Sequence, residues 1–201
     1  MTGVVLAGGK GVRIKRAKPL LRIGDRPILR RICEVFEPLF QEKIIVIAPG
    51  IQTRGIRDNL EGFSGWRICE DIIPGRGPLS GLHAALTLAS ADYSFVAACD
   101  MPFLNEDFLR HMMTQTEGCD IVVPYLSGRY EPIHAIYSKS CLPIVTELLG
   151  AGSLSVLDLY PRVKVRRVEE NEIKRFDPDL RMFFNINTEE DLSRALELDL
   201  Q

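Results

Sequence analysis

The sequence predicts an α/β protein with a mostly parallel β-sheet covered by helices. Short runs of apolar and β-branched residues alternate along the chain with longer amphipathic segments, and this alternation is typical of parallel sheets with helices on both faces. Phe95–Cys99 is apolar at successive positions, as expected of a central strand that is buried on both faces. No internal repeat, low-complexity segment or linker interrupts the 201 residues. We therefore expect residues 1–201 to form a single Rossmann-like domain.

The predicted strands are short and bounded by glycine, proline or polar residues. They are Gly3–Ala7, Lys43–Ala48, Trp66–Cys69, Phe95–Cys99, Asp120–Pro124, Ile133–Tyr137 and Val163–Val168. Helices are predicted between the strands, where apolar residues recur at helical spacing. They are Pro27–Phe40, Thr53–Leu60, Pro78–Ser90, Glu106–Thr116, Lys139–Leu149 and Thr188–Leu198. Pro27 suits the first turn of a helix, and Thr188 with Asp191 three residues later is typical of a helix cap and its reciprocal partner.

The composition of the chain argues against several classes of function. The net charge of −2 argues against a chain built to coat nucleic acid, and no apolar run approaches the roughly 18 residues that indicate a membrane helix. The five cysteines are odd in number and include no C-x-x-C pair, which argues against a disulfide framework and a zinc site. No secretory signal is recognisable at the N-terminus. We therefore expect a cytoplasmic protein with neither a membrane nor a nucleic-acid partner.

The segment after the first predicted strand has the features of a phosphate-binding loop. Gly8, Gly9 and Gly11 let the backbone turn sharply and approach a ligand closely, and their N–H groups can point at an anion. Six cations follow the strand before the first acid: Lys10, Arg13, Lys15, Arg16, Lys18 and Arg22. The spacing matches neither a Walker loop nor the dinucleotide fingerprint, in which Ile14 would have to be glycine. The alternative is a solvated basic loop after an ordinary strand.

Asp100 directly follows the predicted central strand Phe95–Cys99, and Pro102 prevents ladder pairing beyond it. Ligands of open α/β sheets bind outside the carboxyl ends of the strands, so Asp100 is expected to lie beside the glycine-rich loop. A carboxylate there suits Mg²⁺, which takes one or two carboxylates together with phosphate oxygens and waters. The alternative is an aspartate that caps a helix or a turn. Cys99 is expected to be a core residue and not a nucleophile.

The loop from Asp71 to Gly81 leads into a predicted helix and carries further candidate binding residues. Pro78 lies near the first helical position, where free N–H groups and the helix dipole can meet an anion or a polar base edge. Asp71 can accept hydrogen bonds from a sugar hydroxyl or a base N–H. The alternative is a plain connection between a strand and a helix.

Two segments in the second half of the chain are also suggestive. A predicted strand end delivers Asn185 and Asn187 to one face, where an asparagine oxygen can supplement a carboxylate at Mg²⁺; the alternative is a turn and cap without a ligand. The run Arg129–Tyr137 contains an aromatic residue, an acid and His134. We expect His134 to be a satisfied histidine of the sheet rather than a substrate contact.

These motifs together resemble those of the molybdenum cofactor guanylyltransferases, which are nucleotidyltransferases similar to sugar-nucleotide pyrophosphorylases. The family pattern is L-A-G-G, a nearby arginine, a lysine before a leucine pair, an aspartate loop with G-P-L-x-G, then C-D-x-P and N-x-N-T-x-x-D-L. The matching residues are Leu6-Ala7-Gly8-Gly9, Arg13, Lys18, Leu20-Leu21, Asp71, Gly77-Pro78-Leu79-x-Gly81, Cys99-Asp100-x-Pro102 and Asn185-x-Asn187-Thr188-x-x-Asp191-Leu192. Their order and spacing extend through almost the whole chain.

The resemblance implies a sheet of the nucleotide-diphospho-sugar transferase type and the transfer of GMP from GTP to the terminal phosphate of molybdopterin. It implies catalytic roles for Arg13, Lys18 and Asp100, with Mg²⁺ held by Asp100 and Asn187. The implied nucleotide-binding residues are Leu6, Ala7, Gly8, Gly9, Lys18, Asp71, Gly77, Pro78, Leu79 and Asp100. The implied partners are GTP, molybdopterin and, transiently, proteins that deliver or accept the cofactor.

The chain departs from the family pattern at two places. The family usually has R-M-G-x-x-D-K, whereas this chain has Arg13 followed by Ile14-Lys15-Arg16-Ala17-Lys18, and Ala48-Pro49-Gly50 stands where the family often has an asparagine. Three alternatives therefore stay open: transfer of CMP to the same pterin, a sugar-phosphate nucleotidyltransferase, and a nucleotide-binding module without catalysis. The loop Gly77-Pro78-Leu79 resembles the guanylyl branch more.

Overall fold

The computed structural model of the protein describes residues 1–7, 18–73 and 75–200, with Lys18 described by its backbone alone. The strands are β1 (Thr2–Leu6), β2 (Arg22–Ile23), β3 (Arg26–Pro27), β4 (Glu42–Ile47), β5 (Trp66–Glu70), β6 (Tyr93–Ala98), β7 (Ile121–Leu126), β8 (Arg129–Tyr130), β9 (His134–Ser138) and β10 (Val165–Glu169). The α-helices are α1 (Ile28–Phe36), α2 (Arg54–Asn59), α3 (Gly77–Leu88), α4 (Glu106–Met113), α5 (Leu142–Gly150), α6 (Glu170–Ile173) and α7 (Glu189–Asp199). Short 3₁₀ helices lie at Lys18–Leu20, Lys139–Cys141, Val156–Arg162 and Arg181–Phe183.

One sheet of eight strands forms the centre of the protein. Its order is β10-β7-β9-β6-β1-β4-β5, with β8 paired to β7. Strands β5, β4, β1 and β6 run parallel to one another, and β7 and β10 form a second parallel pair. Strand β9 lies antiparallel between β6 and β7. The prediction of a mostly parallel sheet flanked by helices is confirmed. Because β9 is antiparallel to β6 and β7, it begins at the edge of the sheet where these two strands end.

The register of the central strands brings several chain segments to one edge of the sheet. Leu6, the last residue of β1, lies opposite Val46 of β4 and Ala98 of β6. The carboxyl ends of these strands are therefore level, and the segments that follow them leave at the same edge. This is the edge at which open α/β sheets bind ligands.

Two hydrophobic cores cover the two faces of the sheet. Val5 of β1 packs in one core with Phe36 of α1, and its neighbour Val4 packs in the other with Leu82 of α3. All four side chains are fully buried. Successive residues of β1 thus face opposite cores, which explains why this strand is an uninterrupted apolar run in the sequence.

One predicted element is wrong. Asn185 and Asn187 were expected at the end of a strand, but residues 184–187 form no strand in the structure. Their segment follows the 3₁₀ helix Arg181–Phe183 and is fixed by a hydrogen bond from the N–H of Ile186 to the carbonyl of Asp100 (3.0 Å). The capping prediction is confirmed, because Thr188 and Asp191 form a reciprocal capping box at the start of α7.

Two other properties of the described residues concern helix length and cysteine pairing. None of their helices combines the length and apolarity that crossing a membrane requires. None of the five cysteines, each of which lies in the described part of the chain, is in a disulfide bond.

Candidate active site

A cleft of about 940 Å³ opens at the edge of the sheet where the parallel strands end. Its lining comes from the ends of β1, β4, β5 and β6, the start of α3 and the segment before β9. The lining residues are Leu6, Val46, Ala48, Pro49, Asp71, Gly75, Gly77, Pro78, Ser80, Gly81, Ala98, Cys99, Asp100, Met101, Glu131, Pro132, Ile133 and Asn185. The volume lies near the upper end of the roughly 300–1,000 Å³ typical of small-molecule sites, so the cleft has room for a nucleotide and part of a second substrate.

Asp71 is held in a fixed orientation at the end of β5. Its N–H donates to the carbonyl of Ile47 (2.8 Å), which continues the pairing of β5 with β4. Its Oδ1 accepts from the N–H of Ile73 (3.0 Å), and its Oδ2 lies 2.8 Å from the hydroxyl of the buried Ser80. Each carboxylate oxygen has a second lone pair, so Asp71 can also accept hydrogen bonds from a ligand in the cleft.

Helix α3 begins at the cleft, as predicted, with Pro78 in its first turn. Gly77 precedes it with a φ of +67°, a conformation that favours glycine, and a Cβ at this position would lie 3.2 Å from the carbonyl oxygen of Leu154. The unpaired N–H groups of the first turn and the positive end of the helix dipole are thus near the cleft. The side chain of Leu79, in contrast, is fully buried in the core, so its predicted nucleotide contact would involve its backbone.

Gly81 lets α3 approach β1 closely. A Cβ on Gly81 would lie 2.9 Å from Cδ1 of Leu6, closer than side-chain carbons normally approach. Both residues line the cleft, so this contact sets the position of α3 relative to the end of β1. The nucleotide-binding role that the resemblance implies for Leu6 stays a prediction.

The predicted phosphate-binding loop is described only at its two ends. The resemblance implies that Ala7 binds the nucleotide, but its N–H donates to the carbonyl of Val46 (2.7 Å), so this group continues the sheet and does not point to a ligand. The other predicted residues of the loop lie outside the described residues. They are Gly8, Gly9, Lys10, Gly11, Arg13, Lys15 and Arg16. The backbone of Lys18 begins the first 3₁₀ helix, and its side chain also lies outside the description.

Asp100 is half-buried and lines the cleft beside the end of β6. The hydrogen bond from Ile186 to its carbonyl joins the C-terminal segment to this edge, and Asn185 consequently lines the cleft as well. Asn187 is exposed two residues further on, and its N–H donates to Oδ2 of Asp191 (2.9 Å). The structure therefore brings Asp71, Asp100 and Asn185 into one cleft and places Asn187 at the neighbouring surface.

Asp100 and Asn185, which both line the cleft, carry carboxylate and amide oxygens, the ligands that hard cations such as Mg²⁺ prefer. Among the described residues, no group of three or more histidine, cysteine or acidic side chains could hold a metal ion. A site with one carboxylate fits Mg²⁺, which commonly completes its shell with waters and substrate phosphates. Asp100 with an asparagine amide oxygen is therefore a chemically suitable donor set for Mg²⁺ in the presence of a nucleotide.

The segment Glu131-Pro132-Ile133 forms a wall of the cleft that the sequence reasoning did not identify. The sequence showed Glu131 only as an acid within the run Arg129–Tyr137. It lies at the edge of the sheet where the cleft opens because β9 runs antiparallel to its neighbour β6. Glu131 is half-buried, and burial raises the pKa of its carboxyl group.

His134 lies in the core and not in the cleft. Its ring is fully buried and packs against Phe95, Phe108 and Phe183, with ring centroids 5.4, 5.9 and 5.0 Å away. Neither ring nitrogen has a hydrogen-bond partner among the described residues. The prediction of a histidine within the sheet is confirmed, but the expectation that it is satisfied by hydrogen bonds is wrong. Burial in this aromatic cluster lowers the pKa of His134 to about 3.

Comparisons with known proteins identify the family of the chain. Residues 3–165 match the model of the MobA-like NTP transferase domain. The chain is 40% identical over 194 residues to a probable molybdenum cofactor guanylyltransferase of Pelotomaculum thermopropionicum, covering 96% of this chain and 91% of that protein. It is 31% identical over 199 residues to the molybdenum cofactor guanylyltransferase of Desulfosudis oleivorans, with coverage of 97% and 94%.

A solved structure shows the same architecture. The crystal structure of molybdopterin-guanine dinucleotide biosynthesis protein A from Archaeoglobus fulgidus superimposes with a TM-score of 0.84 at 29% sequence identity, covering all of this chain and 99% of that one. The residues matched by the family model include Asp71 and Asp100, whereas Asn185, which also lines the cleft, lies beyond them. The chain therefore belongs to the MobA-like NTP transferase family and, within it, to the molybdenum cofactor guanylyltransferases.

Proposed function

We propose that the protein transfers GMP from GTP to the terminal phosphate of molybdopterin, which forms the guanine dinucleotide cofactor and releases pyrophosphate. The observation that carries the proposal is the cleft in which Asp71, Asp100 and the start of α3 meet. A nucleoside contact, a metal-binding carboxylate and a phosphate-attracting helix end are the parts that nucleotidyl transfer needs. Family membership restricts the choice among nucleotidyltransferases.

The reaction needs little general acid–base catalysis. An oxygen of the acceptor phosphate attacks the α-phosphorus of GTP, the bond from that phosphorus to the oxygen bridging it to the β-phosphorus breaks, and its electron pair leaves with pyrophosphate. The attacking phosphate is already anionic, so no general base is required. The barrier lies in bringing two anions together, and catalysis rests on positioning and on neutralising charge.

The described residues divide between these two tasks. In the proposal, Asp71, oriented by Ser80 and Ile73, accepts hydrogen bonds from the nucleoside, and Leu6 with Gly81 shapes the adjoining surface. The start of α3 attracts the phosphates through its dipole. Arg13 and Lys18, with the N–H groups of Gly8 and Gly9, would neutralise the leaving pyrophosphate.

Asp100 would hold Mg²⁺, with the amide oxygen of Asn187 or Asn185 as a further ligand. The ion supplies positive charge next to the phosphates when it is bound. The contribution of the chain is the rigidity of this edge, because Asp100 follows a buried strand and its carbonyl is fixed by Ile186. Asn185 lines the cleft itself and Asn187 lies next to it. Substituting each asparagine alone therefore shows which of the two contributes to binding Mg²⁺.

The proposal is tested by pyrophosphate release with Mg²⁺ and molybdopterin, comparing GTP, CTP, ATP and UTP. We expect release with GTP alone. Release with CTP instead would retain the fold and the chemistry but change the base, in line with the sequence Ala48-Pro49-Gly50 beside the cleft. Binding of nucleotide without release from any of the four would contradict the enzymatic proposal.

The proposal also sets the cellular context. We place the reaction in the cytoplasm, where free thiols persist and GTP is present. The product is a cofactor for other enzymes, so transient contact with proteins that deliver molybdopterin or accept the dinucleotide belongs to the same proposal.

A further inference from the structure

The cleft has two halves, and the proposed nucleotide contacts occupy only one of them. Asp71 follows β5, whereas Glu131 precedes β9, and strands β4, β1 and β6 lie between these two positions. With about 4.8 Å between neighbouring strands, four strand spacings separate the end of β5 from the start of β9 by on the order of 19 Å. Asp100 follows β6 and lies between them. If the nucleoside binds at Asp71 and phosphoryl chemistry occurs at Asp100, the acceptor occupies the half that contains Glu131.

The backbone around Glu131 is rigidly supported. The N–H of Glu131 donates to the carbonyl of Pro124 (3.0 Å), and its carbonyl accepts from the N–H of His134 (3.1 Å). The carbonyl of Pro132 accepts from the buried hydroxyl of Tyr137 (2.6 Å), and that of Ile133 accepts from the N–H of Ala98 (3.2 Å). A segment whose polar backbone groups are paired in this way presents its side chain in a fixed place, as a recognition site requires.

The carboxylate of Glu131 differs from that of Asp71 in its partners. Both oxygens of Asp71 lie within hydrogen-bonding distance of donors of the protein, whereas no hydrogen bond reaches the carboxylate of Glu131 from the residues that the structure describes. Burial raises the pKa of this group, and Arg129 opposes the shift only in part. A half-buried carboxylate without donors is unfavourable, and a ligand that brought N–H donors into the cleft would relieve that cost.

We propose that Glu131 recognises the heterocycle of the acceptor through the 2-amino-4-oxopyrimidine edge of its pterin. That edge presents a ring N–H beside an amino group, and two parallel N–H donors fit a carboxylate in the bidentate manner. Guanine carries the same edge. The cleft thus has a carboxylate near each end, Asp71 and Glu131, for the two similar ends of the dinucleotide product. This assignment rests on the proposed function.

The first test compares Glu131→Gln with the wild-type protein in the pyrophosphate assay. Loss of charge-assisted hydrogen bonds should raise KM for molybdopterin roughly 10- to 100-fold, while KM for GTP stays within about twofold of the wild-type value. Glu117→Gln, in the exposed loop after α4, is the matched control and should change neither constant. An unchanged KM for molybdopterin in Glu131→Gln would overturn the assignment.

The second test measures binding without catalysis. Free pterin and lumazine, in which a carbonyl replaces the amino group, are titrated in the presence of GTP and Mg²⁺, with competition against molybdopterin as the readout. We expect the wild-type protein to bind pterin roughly 10-fold more tightly than lumazine, and Glu131→Gln to lose that preference. Equal binding of the two compounds by the wild-type protein, or a preference that survives the substitution, would contradict the assignment.

The two tests separate failure of this inference from failure of the proposed function. If the wild-type protein releases pyrophosphate with GTP and Glu131→Gln behaves like it, only the inference fails. If the wild-type protein releases none with any nucleotide, the proposed function fails. Direct pterin and lumazine titrations, followed by the fluorescence of the ligands, then decide the inference: a Glu131-dependent preference supports a pterin site, and its absence rejects one.

Discussion

At the residue scale, the buried hydroxyl of Ser80 links the start of α3 to Asp71. It lies 2.8 Å from Oδ2 of Asp71 and 2.9 Å from the carbonyl of Gly77, so its single proton serves either acceptor. In Ser80→Ala, Asp71 loses one of its two internal restraints. We expect KM for GTP to rise about 5- to 10-fold, corresponding to the roughly 1 kcal/mol of a typical hydrogen bond, with kcat changed less than twofold.

The control for Ser80 is on the same helix. Thr87 donates its hydroxyl to the carbonyl of His83 on the exposed side of α3, and Thr87→Ala removes a hydroxyl without touching the cleft. Steady-state kinetics with varied GTP should show no change in KM for this variant. An equal effect of the two substitutions would mean that α3 stability, and not the orientation of Asp71, governs GTP binding.

Asp100 gives a second prediction for a single residue. In Asp100→Asn the side chain keeps its shape but loses its charge, so Mg²⁺-dependent turnover should fall by about 100-fold or more, while the thermal midpoint changes little because the group is only half-buried. Asp92→Asn is a matched control, since Asp92 is an exposed aspartate before the same strand, β6, at its opposite end. Turnover by Asp100→Asn close to that of the wild-type protein would remove Asp100 from the metal site.

Single residues show where sequence reasoning succeeded and where it could not. Asp71 and Asp100 were predicted because each follows a strand, and the structure places both in the cleft. Glu131 was overlooked because it precedes its strand, and its position becomes functional only when β9 runs antiparallel. The direction of a strand depends on pairing with distant segments, about which local periodicity says nothing.

At the element scale, the predicted strands agree with the observed ones to within a few residues. The central parallel strands β1, β4 and β6 are buried apolar runs, which the sequence pattern predicts directly. The two-residue strands β2, β3 and β8 were missed, since a strand of two residues has no period to detect. The segment around Asn185 was mistaken for a strand because Phe183 and Phe184 are β-favouring residues. In the structure both side chains pack on the core instead, Phe183 against Phe108 of α4 and Phe184 against Phe103.

Strand β9 carries a pH-sensitive element of stability in His134. The surrounding side chains of Phe95, Phe108 and Phe183 are uncharged, so burial holds the pKa of His134 at about 3, whereas the ordinary value is 6.5. The unfolded chain therefore binds a proton that the folded one rejects. Above pH 6.5 His134 is neutral in both the folded and the unfolded chain and does not affect stability. As the pH falls from 6.5 towards 3, protonation of the unfolded chain lowers the free energy of unfolding.

The prediction from β9 concerns the difference between the wild-type protein and His134→Leu. Below the ordinary pKa of 6.5 the unfolded chain gains a proton, and the free energy of unfolding falls in proportion to the further drop in pH. Since pH 5 lies 1.5 units below 6.5, the wild-type protein should lose about 2 kcal/mol of unfolding free energy between pH 7.5 and pH 5, relative to the variant. Urea unfolding at pH 7.5, 6 and 5 measures it. A difference between the two proteins that is the same at all three pH values would show that the buried ring does not resist protonation.

At the scale of the whole molecule, the C-terminal segment is part of the same structural unit as the family domain. The family match ends at residue 165, but Ile173, Met182 and Ile186 are fully buried in the core that also contains Phe36 of α1. Arg31 of α1 pairs with Asp199 of α7 through two hydrogen bonds of 2.6 and 2.7 Å. Since Asn185 lines the cleft, the site is complete only when this segment is folded.

A single cooperative unit predicts that distant probes report one unfolding transition. Trp66 is the only tryptophan of the chain and lies on β5, where it stacks on Phe36 with ring centroids 6.0 Å apart. Its fluorescence therefore reports one edge of the sheet, while far-UV circular dichroism reports all helices and strands. The midpoints of urea unfolding from the two signals should coincide.

The two midpoints should also coincide for Ile186→Ala, in which a fully buried side chain at the other end of the chain is truncated, at a cost of about 2–5 kcal/mol of unfolding free energy. Because Ile186 and Trp66 belong to one unit, the substitution should lower both midpoints equally. If it lowered only the midpoint followed by circular dichroism, the residues after 165 would unfold separately, and the cleft would open before the sheet is lost.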